Sequence, residues 1–390
     1  MKKTVIVTGC DGYIGFPLTL KLVKDGHKVI GIDNFSRRQN VKSMGSDSAI
    51  KIHSPQERTE ILQSIGNYRF FDYSTISPIN MDALFLSFPP DAVINLAQQP
   101  SAPWSHKSQT HTLTTNTNNT NGVLNLLYSI KKHAPDAHLI HIGTMGEYDP
   151  TVNVPIPEGF FRFIRKFRLS NKSLFPRRPG SFYHASKVAS TYYIDLACRT
   201  WGLRATDIMQ GIVFGAWTRE SDDHNTHTRL DIDEAFGTVL NRFILQAYFQ
   251  QPLTIFGSGD HQRGFLSLYD SIQCLNIALL NPPKESEYRT WNQLFLTLTM
   301  NQVADIVVDA AEYFGHNPDI KYIPSPRTEH TQEHYYNPET KILKNLGYIP
   351  NIDTPEAIRD EIWHIFDLLK IHPPDPNLIN VIQNPQIKWR

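Results

Sequence analysis

The sequence predicts an α/β protein in which a doubly wound parallel sheet is joined to a smaller C-terminal α/β domain. Three observations lead to this prediction. Short β-branched segments alternate with longer helical patterns through the first half of the chain, as in repeated βαβ units. A turn with three glycines joins the first strand to the first helix. After residue 210 the alternation becomes irregular, which indicates a second structural unit.

The individual elements are predicted from residue type and spacing. Strands are expected where β-branched and aromatic residues are concentrated, at 4–8, 28–32, 68–71, 91–96, 137–142 and 203–208. Helices are expected between them, at 13–25, 80–87, 112–133 and 184–200. In the second unit we expect a strand at 253–256 and helices at 234–250, 301–313 and 353–370.

Composition excludes several classes of protein. Among 390 residues, 38 are basic and 38 acidic, whereas a dedicated nucleic-acid binder would show a basic surplus, so no nucleic-acid partner is expected. No apolar run approaches the ~18 residues of a membrane span. Cys10, Cys198 and Cys274 are scattered and lack the spacing of metal ligands. We therefore expect no metal and reduced thiols, as is typical of a cytoplasmic protein.

The glycine turn predicts a dinucleotide site. Gly9, Gly12 and Gly15 permit a tight turn and the close approach of a pyrophosphate to the backbone, as in a Rossmann-type fold. Asp33 ends the second strand, where a carboxylate can accept hydrogen bonds from ribose hydroxyls. That carboxylate favours NAD, because it would repel the 2′-phosphate of NADP, although Arg37 and its neighbour Arg38 lie close in sequence.

A tyrosine and a lysine predict proton transfer. Tyr183 and Lys187 are four residues apart and so share one face of a helix. A phenol of pKa ~10 is a weak base at neutral pH. A nearby ammonium should lower that pKa, so Tyr183 can take a proton from a hydroxyl while hydride leaves the same carbon. Thr144 ends the fifth strand, where its hydroxyl can bind the reacting hydroxyl or cap a turn.

Longer motifs resemble one family over nearly the whole chain. The sequence is similar to the extended short-chain dehydrogenase/reductase family of sugar-nucleotide epimerases and dehydratases, and within it to the branch that adds sulfite to a UDP-hexose. The segments that carry the resemblance are 11–15, 101–105, 143–148, 181–187, 204–215, 229–243, 333–337 and 387–390. The resemblance implies tightly bound NAD, a UDP-hexose substrate and a homodimer. It also implies a reaction cycle: oxidation at C4, acidification at C5, loss of the C6 hydroxyl, addition of sulfite and reduction.

The resemblance also implies the role of individual residues. Catalysis is assigned to Thr144, Tyr183 and Lys187, with His184 and Glu147 as further acid–base candidates. Substrate contacts are assigned to Thr144, Gln210, Thr238, Arg263 and Arg327. Cofactor contacts are assigned to Gly9, Gly12, Tyr13, Ile14, Gly15, Asp33, Asn34, Arg37, Asp72, Tyr73, Leu96, Asn119, Tyr183, Lys187, Gln210 and Val213.

Domain boundaries follow from the same resemblance and from the change in periodicity. Residues 1–210 are expected to form most of the NAD-binding domain, to which 234–257 return. Residues 211–233 and 258–390 are expected to form most of the substrate-binding domain. Residues 150–180 should be a lid or loop. Its part 162–178 carries seven basic residues and no acidic one, which suits either a solvated surface or a cationic lid over an anionic ligand.

Two departures separate this chain from the sulfite-using branch. Where that branch has Glu-Gln-Arg, this chain has Gln98, Gln99 and Pro100. The stretch Gly-Gly-Gln-Thr-Arg-Gly is replaced by 259–264, which keeps Arg263 but changes its neighbours. We therefore expect C4 oxidation, with sulfite addition weak or dependent on a protein that delivers sulfite.

Three alternatives stay open. A UDP-hexose 4-epimerase needs only hydride removal and return on the opposite face. A 4,6-dehydratase usually has an Asp-Glu pair after its threonine, whereas Met145 and Gly146 follow Thr144 here. A non-enzymatic cofactor-binding protein would not need Thr144, Tyr183 and Lys187 together.

Overall fold

A seven-stranded, wholly parallel sheet organises the N-terminal part of the chain in this computed structural model. The structure describes residues 2–149, 152, 154–162, 164–165, 168–169, 172–223, 226–324 and 337–384. In spatial order the strands of the sheet are β14 (Tyr288–Gln293), β10 (Arg204–Gln210), β5 (His138–Thr144), β4 (Ala92–Asn95), β1 (Thr4–Thr8), β2 (Lys28–Asp33) and β3 (Tyr68–Asp72).

Helices cover both faces of this sheet. Apolar clusters lie on each side of it, and β1, β4 and β10 contribute to both clusters, as expected for strands buried on two faces. These helices are α1 (Gly15–Lys24), α2 (Ser36–Ser43), α3 (Pro55–Ile65), α4 (Pro78–Ser87), α5 (Ala102–Ser105), α6 (Gln109–Asn116), α7 (Gly122–His133), α8 (Phe182–Trp201), α9 (Arg219–Asp223) and α11 (Leu268–Leu280). The predicted fold class, a doubly wound parallel sheet, is confirmed.

A second core lies towards the C-terminus. Helices α10 (Val239–Tyr248), α12 (Met300–Glu312) and α14 (Pro355–Ile371) pack together around buried Phe243, Val307 and Ile362. The remaining elements are α13 (Lys341–Asn345), α15 (Ile379–Gln383), β6 (Phe160–Phe161), β7 (Ile164–Arg165), β8 (Arg168–Leu169), β9 (Ser173–Leu174), β11 (Ile212–Phe214), β12 (Leu253–Phe256), β13 (Gln262–Ser267), β15 (Leu296–Thr299) and β16 (Ile320–Ile323).

The two units are divided differently from the expected boundaries. Helix α10 and strand β12, expected to return to the NAD-binding domain, pack in the second core, where β12 pairs with β16. Conversely, β14, expected in the substrate domain, is a strand of the main sheet. Helix α11, also expected in that domain, packs in the apolar cluster on one face of the sheet. Helix α11 supplies the crossover that lets β14 lie parallel to β10.

Local sequence explains several element ends. Ser181 caps α8 by accepting the amide of His184, and Ser54 forms a capping box with Glu57 at the start of α3. The expected helix 112–133 is two helices joined by a π-helical turn, Thr117–Asn121. Within the described ranges no helix is both long and apolar enough to cross a membrane.

Candidate active site

One long cleft follows the carboxyl edge of the sheet, where β1, β2, β4, β5 and β10 end. Ligands of open parallel α/β sheets bind at this edge, because the loops leave a crevice there. The glycine turn lines one end of the cleft, and Thr144, Tyr183 and Lys187 line another part of it.

The glycine turn has no room for side chains. Gly9 has φ +76°, and a Cβ there would lie 2.6 Å from the carbonyl carbon of Leu96. A Cβ on Gly15 would lie 1.9 Å from the carbonyl oxygen of Gly9. The backbone is therefore exposed at the start of α1, where amides and the helix dipole favour a phosphate.

Asp33 is held beside this turn by backbone donors. Its carboxylate accepts the amide of Asp11 at 2.9 Å and that of Phe35 at 2.8 Å. Burial, and then the charge of Asp11, raise its pKa to about 6, so at pH 7 it is mainly ionised.

The two arginines near Asp33 are already paired. Arg37 donates to Asp231 at 2.6 Å, and Arg38 donates to Asp11 at 2.5 and 2.8 Å. Neither guanidinium is therefore a free partner for a 2′-phosphate, which agrees with NAD rather than NADP.

The proton-transfer residues meet at the end of β5. The Thr144 hydroxyl hydrogen-bonds the Tyr183 phenol and accepts the amide of Gly146 at 3.2 Å. Lys187 is only 2% exposed, and its ammonium donates to the carbonyl of Ile142. Burial lowers the pKa of Lys187 to about 8, against the opposing charges of two buried carboxyls.

The phenol pKa departs from the expected direction. We expected Lys187 to lower the pKa of Tyr183, but burial, followed by the charge of Glu147, raises it, and only the hydrogen bond with Thr144 opposes this. The difference arises because Tyr183 is buried and a carboxyl lies behind it.

Glu147 and His184 are turned away from the cleft and do not line it. Glu147 is fully buried, accepts the Thr144 amide at 3.1 Å and pairs with Arg177. His184 instead bonds the Ser181 hydroxyl at 2.9 Å, with its ring against Gly146. Direct acid–base contact by these two residues, expected from sequence, is not what this geometry provides.

Most of the expected cofactor residues line the cleft, but two do not. Asp72 ends β3 with an exposed side chain outside it. Asn119 is fully buried, and its amide holds the backbone of Gln99 and the hydroxyl of Ser186. Those that line the cleft are Gly9, Gly12, Tyr13, Ile14, Gly15, Asp33, Asn34, Arg37, Tyr73, Leu96, Tyr183, Lys187, Gln210 and Val213.

The expected substrate residues are divided. Thr144, Gln210 and Thr238 line the cleft. Arg263 lies outside this lining, with its guanidinium bonded to the carbonyl of Gln262. Arg327 falls outside the described residues.

The basic segment 162–178 is only partly described. Its Arg177 side chain is 3% exposed, pairs with Glu147 at 3.4 Å and stacks on Tyr148 with its guanidinium 4.4 Å from the ring centre. This residue is thus a buried structural cation rather than part of a solvated surface or lid.

A segment that we did not assign to the cofactor also lies along the cleft. We call residues 226–238 the crossing loop, because its Ala235, Phe236 and Thr238 line the cleft. The Thr228 hydroxyl donates to the carbonyl of Tyr13 at 2.6 Å, and Asp231 binds Arg37. The signal for this loop in the sequence is the 229–243 motif, in which only Thr238 is expected to contact a ligand, as part of the substrate site.

Cations are scarce along the cleft. Among the described residues that line it, Arg37 and Lys187 are the only lysines or arginines. Pro100 lines the cleft at the position where the sulfite-using branch has arginine, and Gln98 beside it has no hydrogen-bond partner for either side-chain amide atom. No cluster of potential metal ligands occurs in the part of the chain that the structure describes.

The cleft contains a glycine turn, a carboxylate placed to accept hydrogen bonds from a ribose, and a Tyr-Lys pair. This combination defines an enzyme that transfers hydride with a dinucleotide. Comparison with known proteins agrees. The model of the NAD dependent epimerase/dehydratase family matches residues 5–292. The chain belongs to this family, and its cofactor is NAD.

Relatives narrow the family further. A UDP-sulfoquinovose synthase from Sulfolobus acidocaldarius is 38% identical over 398 residues, which cover 99% of this chain and 97% of that protein. The chloroplastic UDP-sulfoquinovose synthase of Spinacia oleracea is 38% identical over 90% of this chain and 73% of that protein. The predicted family and branch are confirmed by these relatives.

Solved structures show the same fold. A UDP-glucose 4-epimerase from Thermotoga maritima, crystallised with UDP-glucose, has a TM-score of 0.71 at 20% identity and covers 94% of this chain and 99% of that one. A UDP-glucose 4-epimerase from Thermus thermophilus in complex with NAD has a TM-score of 0.65 at 22% identity.

Proposed function

We propose that this chain oxidises C4 of a UDP-hexose with bound NAD, as the first stage of a UDP-sulfoquinovose synthase-like cycle. The observation that carries the proposal is the meeting of Thr144, Tyr183 and Lys187 on the same cleft as the glycine turn. It is supported by 38% identity, over nearly the full length, to a protein named UDP-sulfoquinovose synthase.

The chain's own residues would divide the work. NAD, when bound, accepts the hydride from C4. The backbone of the glycine turn would hold the pyrophosphate of NAD, and Asp33 would accept hydrogen bonds from the ribose hydroxyls. Thr144 would orient the C4 hydroxyl, and Tyr183 would take its proton. Because burial raises the pKa of the phenol, the positive nicotinamide of bound NAD and the Lys187 ammonium would together have to lower it.

The second unit would hold the nucleotide. We assign Thr238, Arg263 and Arg327 to the UDP diphosphate, with arginine suited to bidentate contact with it, and Gln210 to the hexose. The division of labour between an NAD-binding sheet and a substrate-binding C-terminal unit belongs to the same proposal.

Sulfite addition is proposed to be weak in the isolated chain. Sulfite is an anion, and holding it beside a diphosphate sugar requires local positive charge. Pro100 has neither charge nor N–H, and Arg37 and Lys187 are the only cations among the described lining residues. A protein that delivers sulfite would be the partner that this site needs.

Product analysis tests these proposals. The purified protein is incubated with UDP-glucose, with and without sulfite, and products are identified by mass while NADH absorbance is followed. NADH formation with little sulfonated product supports both proposals. Efficient conversion of free sulfite contradicts the weak-addition proposal, and absence of oxidation with every UDP-hexose contradicts the substrate class.

A UDP-hexose 4-epimerase is the second candidate, favoured by the missing cation at Pro100. It needs no group beyond Thr144, Tyr183 and Lys187. Conversion of UDP-glucose to its C4 epimer, without loss of the C6 hydroxyl, would identify it.

A cytoplasmic homodimer is also proposed. Helices α6, α7 and α8 pack together, and their outer faces expose Leu113 and Tyr128 by 58% each, Tyr192 by 49% and Leu196 by 47%. Exposed apolar side chains on neighbouring helices suit a second copy of the chain. Sedimentation velocity of wild type and Leu196→Glu tests it, because a charge on that face should favour the monomer.

A further inference from the structure

We propose that Asp207 is a positioning residue that carries one proton, shared with Glu147 through the Thr191 hydroxyl, behind the Thr144–Tyr183–Lys187 group. The three residues come from different elements, since Asp207 lies on β10, Thr191 on α8 and Glu147 after β5. All three are completely buried.

The hydrogen bonds require a proton on one carboxyl. Thr191 Oγ1 lies 2.9 Å from Glu147 Oε2 and 2.8 Å from Asp207 Oδ2. A hydroxyl carries a single proton and can donate to only one of these oxygens. The other contact is therefore attractive only if that carboxyl is protonated and donates to Thr191.

The surrounding donors place this proton on Asp207. Glu147 receives the Thr144 amide at 3.1 Å and pairs with Arg177 at 3.4 Å, so both of its oxygens have donors. Asp207 Oδ2 accepts a hydrogen bond from the Tyr288 hydroxyl at 2.8 Å, whereas its Oδ1 is buried with no hydrogen-bond partner among the described residues. An ionised carboxylate with a bare buried oxygen is costly, but the carbonyl oxygen of a neutral acid is far less so.

The backbone of β5 leaves little room beside the two carboxyls for other donors. A Cβ added to Gly143 would lie 2.7 Å from Asp207 Oδ1 and 3.1 Å from Glu147 Oε1, so the backbone of β5 presses on both carboxyls. Burial raises the pKa of Glu147 and of Asp207, and two such neighbours titrate as a pair. The ionisable groups that face the pair are Arg177, Lys187, Tyr148, Tyr183 and Tyr288.

The shared proton sets the charge that Lys187 experiences. Both carboxyls act on the Lys187 ammonium, and their negative charge raises its pKa against the effect of burial. With the proton present the pair carries one negative charge, and after its loss the pair carries two. Lys187 would therefore hold its own proton more tightly above the pH at which the pair ionises.

Infrared spectroscopy tests the proton directly, without substrate. We expect the difference spectrum of wild type minus Asp207→Asn at pH 6 to contain the carbonyl band of a protonated carboxyl, which disappears as the pH is raised to 9. The control Asp136→Asn removes a carboxylate that is 90% exposed and should give no such band. An Asp207→Asn difference spectrum without the band at pH 6 overturns the proposal.

A second variant covers the case in which Asp207→Asn fails to fold. Thr191→Val keeps the side-chain shape and removes the bridging hydroxyl, so the titration midpoint of the wild-type band should shift. An unchanged midpoint would also overturn the shared proton.

Lys187 gives a second readout by NMR of lysine labelled at Cε. In wild type its titration should show two inflections, because its neighbours change charge. In Asp207→Asn one inflection should remain. Two unchanged inflections in that variant would contradict the electrostatic link.

The kinetic consequence rests on the proposed function. The rate of NAD reduction by UDP-glucose should change with pH in the neutral range for wild type, and this step should be absent in Asp207→Asn. A purely structural role would lower the rate equally at every pH, and that result would overturn the positioning role. If no UDP-hexose reduces NAD, the proposed function fails while the infrared and NMR results still decide the present proposal.

Discussion

Two buried charge networks flank the cleft, and they are built in opposite ways. On the nucleotide side, Asp11 binds two guanidinium groups, those of Arg38 and Arg58, and Asp231 binds those of Arg37 and Arg229. Although burial alone would raise the pKa of Asp11 and Asp231, these arginines hold both pKa values below their ordinary value.

In the network behind Thr144, by contrast, the two carboxyls have fewer arginines close to them. Among the described residues, Arg177 supplies the one guanidinium close to Glu147 and Asp207, and the two carboxyls meet at the Thr191 hydroxyl. Burial raises the pKa of Glu147 to about 7, and that of Asp207 is raised as well. Four arginines keep Asp11 and Asp231 ionised, whereas burial lets the Glu147–Asp207 pair change its charge near neutral pH.

The largest expected effect is on the catalytic side. Tyr183→Phe should lower turnover by about 10²–10⁴-fold, because it removes the proton acceptor and little volume. NAD binding should stay nearly intact, since both nucleotide-side aspartates keep their arginines. Steady-state rates with a UDP-hexose and NAD titration by fluorescence check this. Near-normal turnover would show that another group takes the proton.

Removal of one carboxylate from the nucleotide-side network should destabilise the fold. Asp11→Asn leaves buried Arg58 without its ionic partner and should lower the free energy of unfolding by about 3–5 kcal/mol. Urea unfolding measures this. The matched control is Asp25→Asn, where a 36%-exposed side chain pairs with Lys21 and the loss should stay below about 1 kcal/mol. Equal losses in the two variants would refute the structural importance of this network.

The pH dependence of stability sharpens the comparison. The Asp11 pKa is lowered in the folded protein, so its contribution is present above the unfolded pKa of ~3.9 and is lost only as pH falls through the folded value. The Asp207 pKa is raised, so the folded state keeps its proton above the unfolded pKa of ~3.9, and stability falls as pH rises from there through the folded value.

Asp207→Asn should therefore flatten this decline in unfolding free energy, by about 1.4 kcal/mol for each unit of pKa shift that the substitution removes. Urea titrations at several pH values measure the slope. Glu361, whose pKa burial raises to about 7, should leave a residual slope in the variant. A slope identical to that of wild type would remove the distinction between the two networks.

The smallest expected effect concerns cofactor affinity. Asp33→Ala should weaken NAD binding by roughly 1–3 kcal/mol through loss of a charge-assisted hydrogen bond. Asp72→Ala is the matched control and should bind NAD as wild type does, because Asp72 does not line the cleft. Calorimetry with NAD and NADP checks both variants. If Asp72→Ala weakens NAD binding instead, Asp72 contacts the cofactor as the resemblance implies.

Sequence reasoning succeeded where the chemistry is local. The glycine turn, Asp33 and the Tyr183–Lys187 spacing are read within one element each, and all of these residues line the cleft. Orientation was harder to predict. His184 follows Tyr183 on a helix, and adjacent helical residues do not face the same way. Glu147 curls back onto the Thr144 amide in a capping box, which removes it from the cleft.

Partnerships between distant segments could not be read from the sequence. Thr191 and Arg177 reach their carboxyl partners only because β5, α8 and β10 come together in the fold. Strand β14 is not predicted from the sequence, because Thr290, Asn292 and Gln293 give it a polar composition. These side chains are nevertheless buried, and Asn292 and Gln293 are hydrogen-bonded within the fold.

The crossing loop has a consequence for how the cell can use this enzyme. It is tied to Arg37 through Asp231 and to α5 through the Ser101 hydroxyl, which donates to Ala235. Under the proposed function, a nicotinamide coenzyme held beneath this loop would act as a prosthetic group rather than a co-substrate. Each turnover would then return the hydride to the same sugar, and flux would follow sugar-nucleotide supply rather than the NAD⁺/NADH ratio of the surroundings.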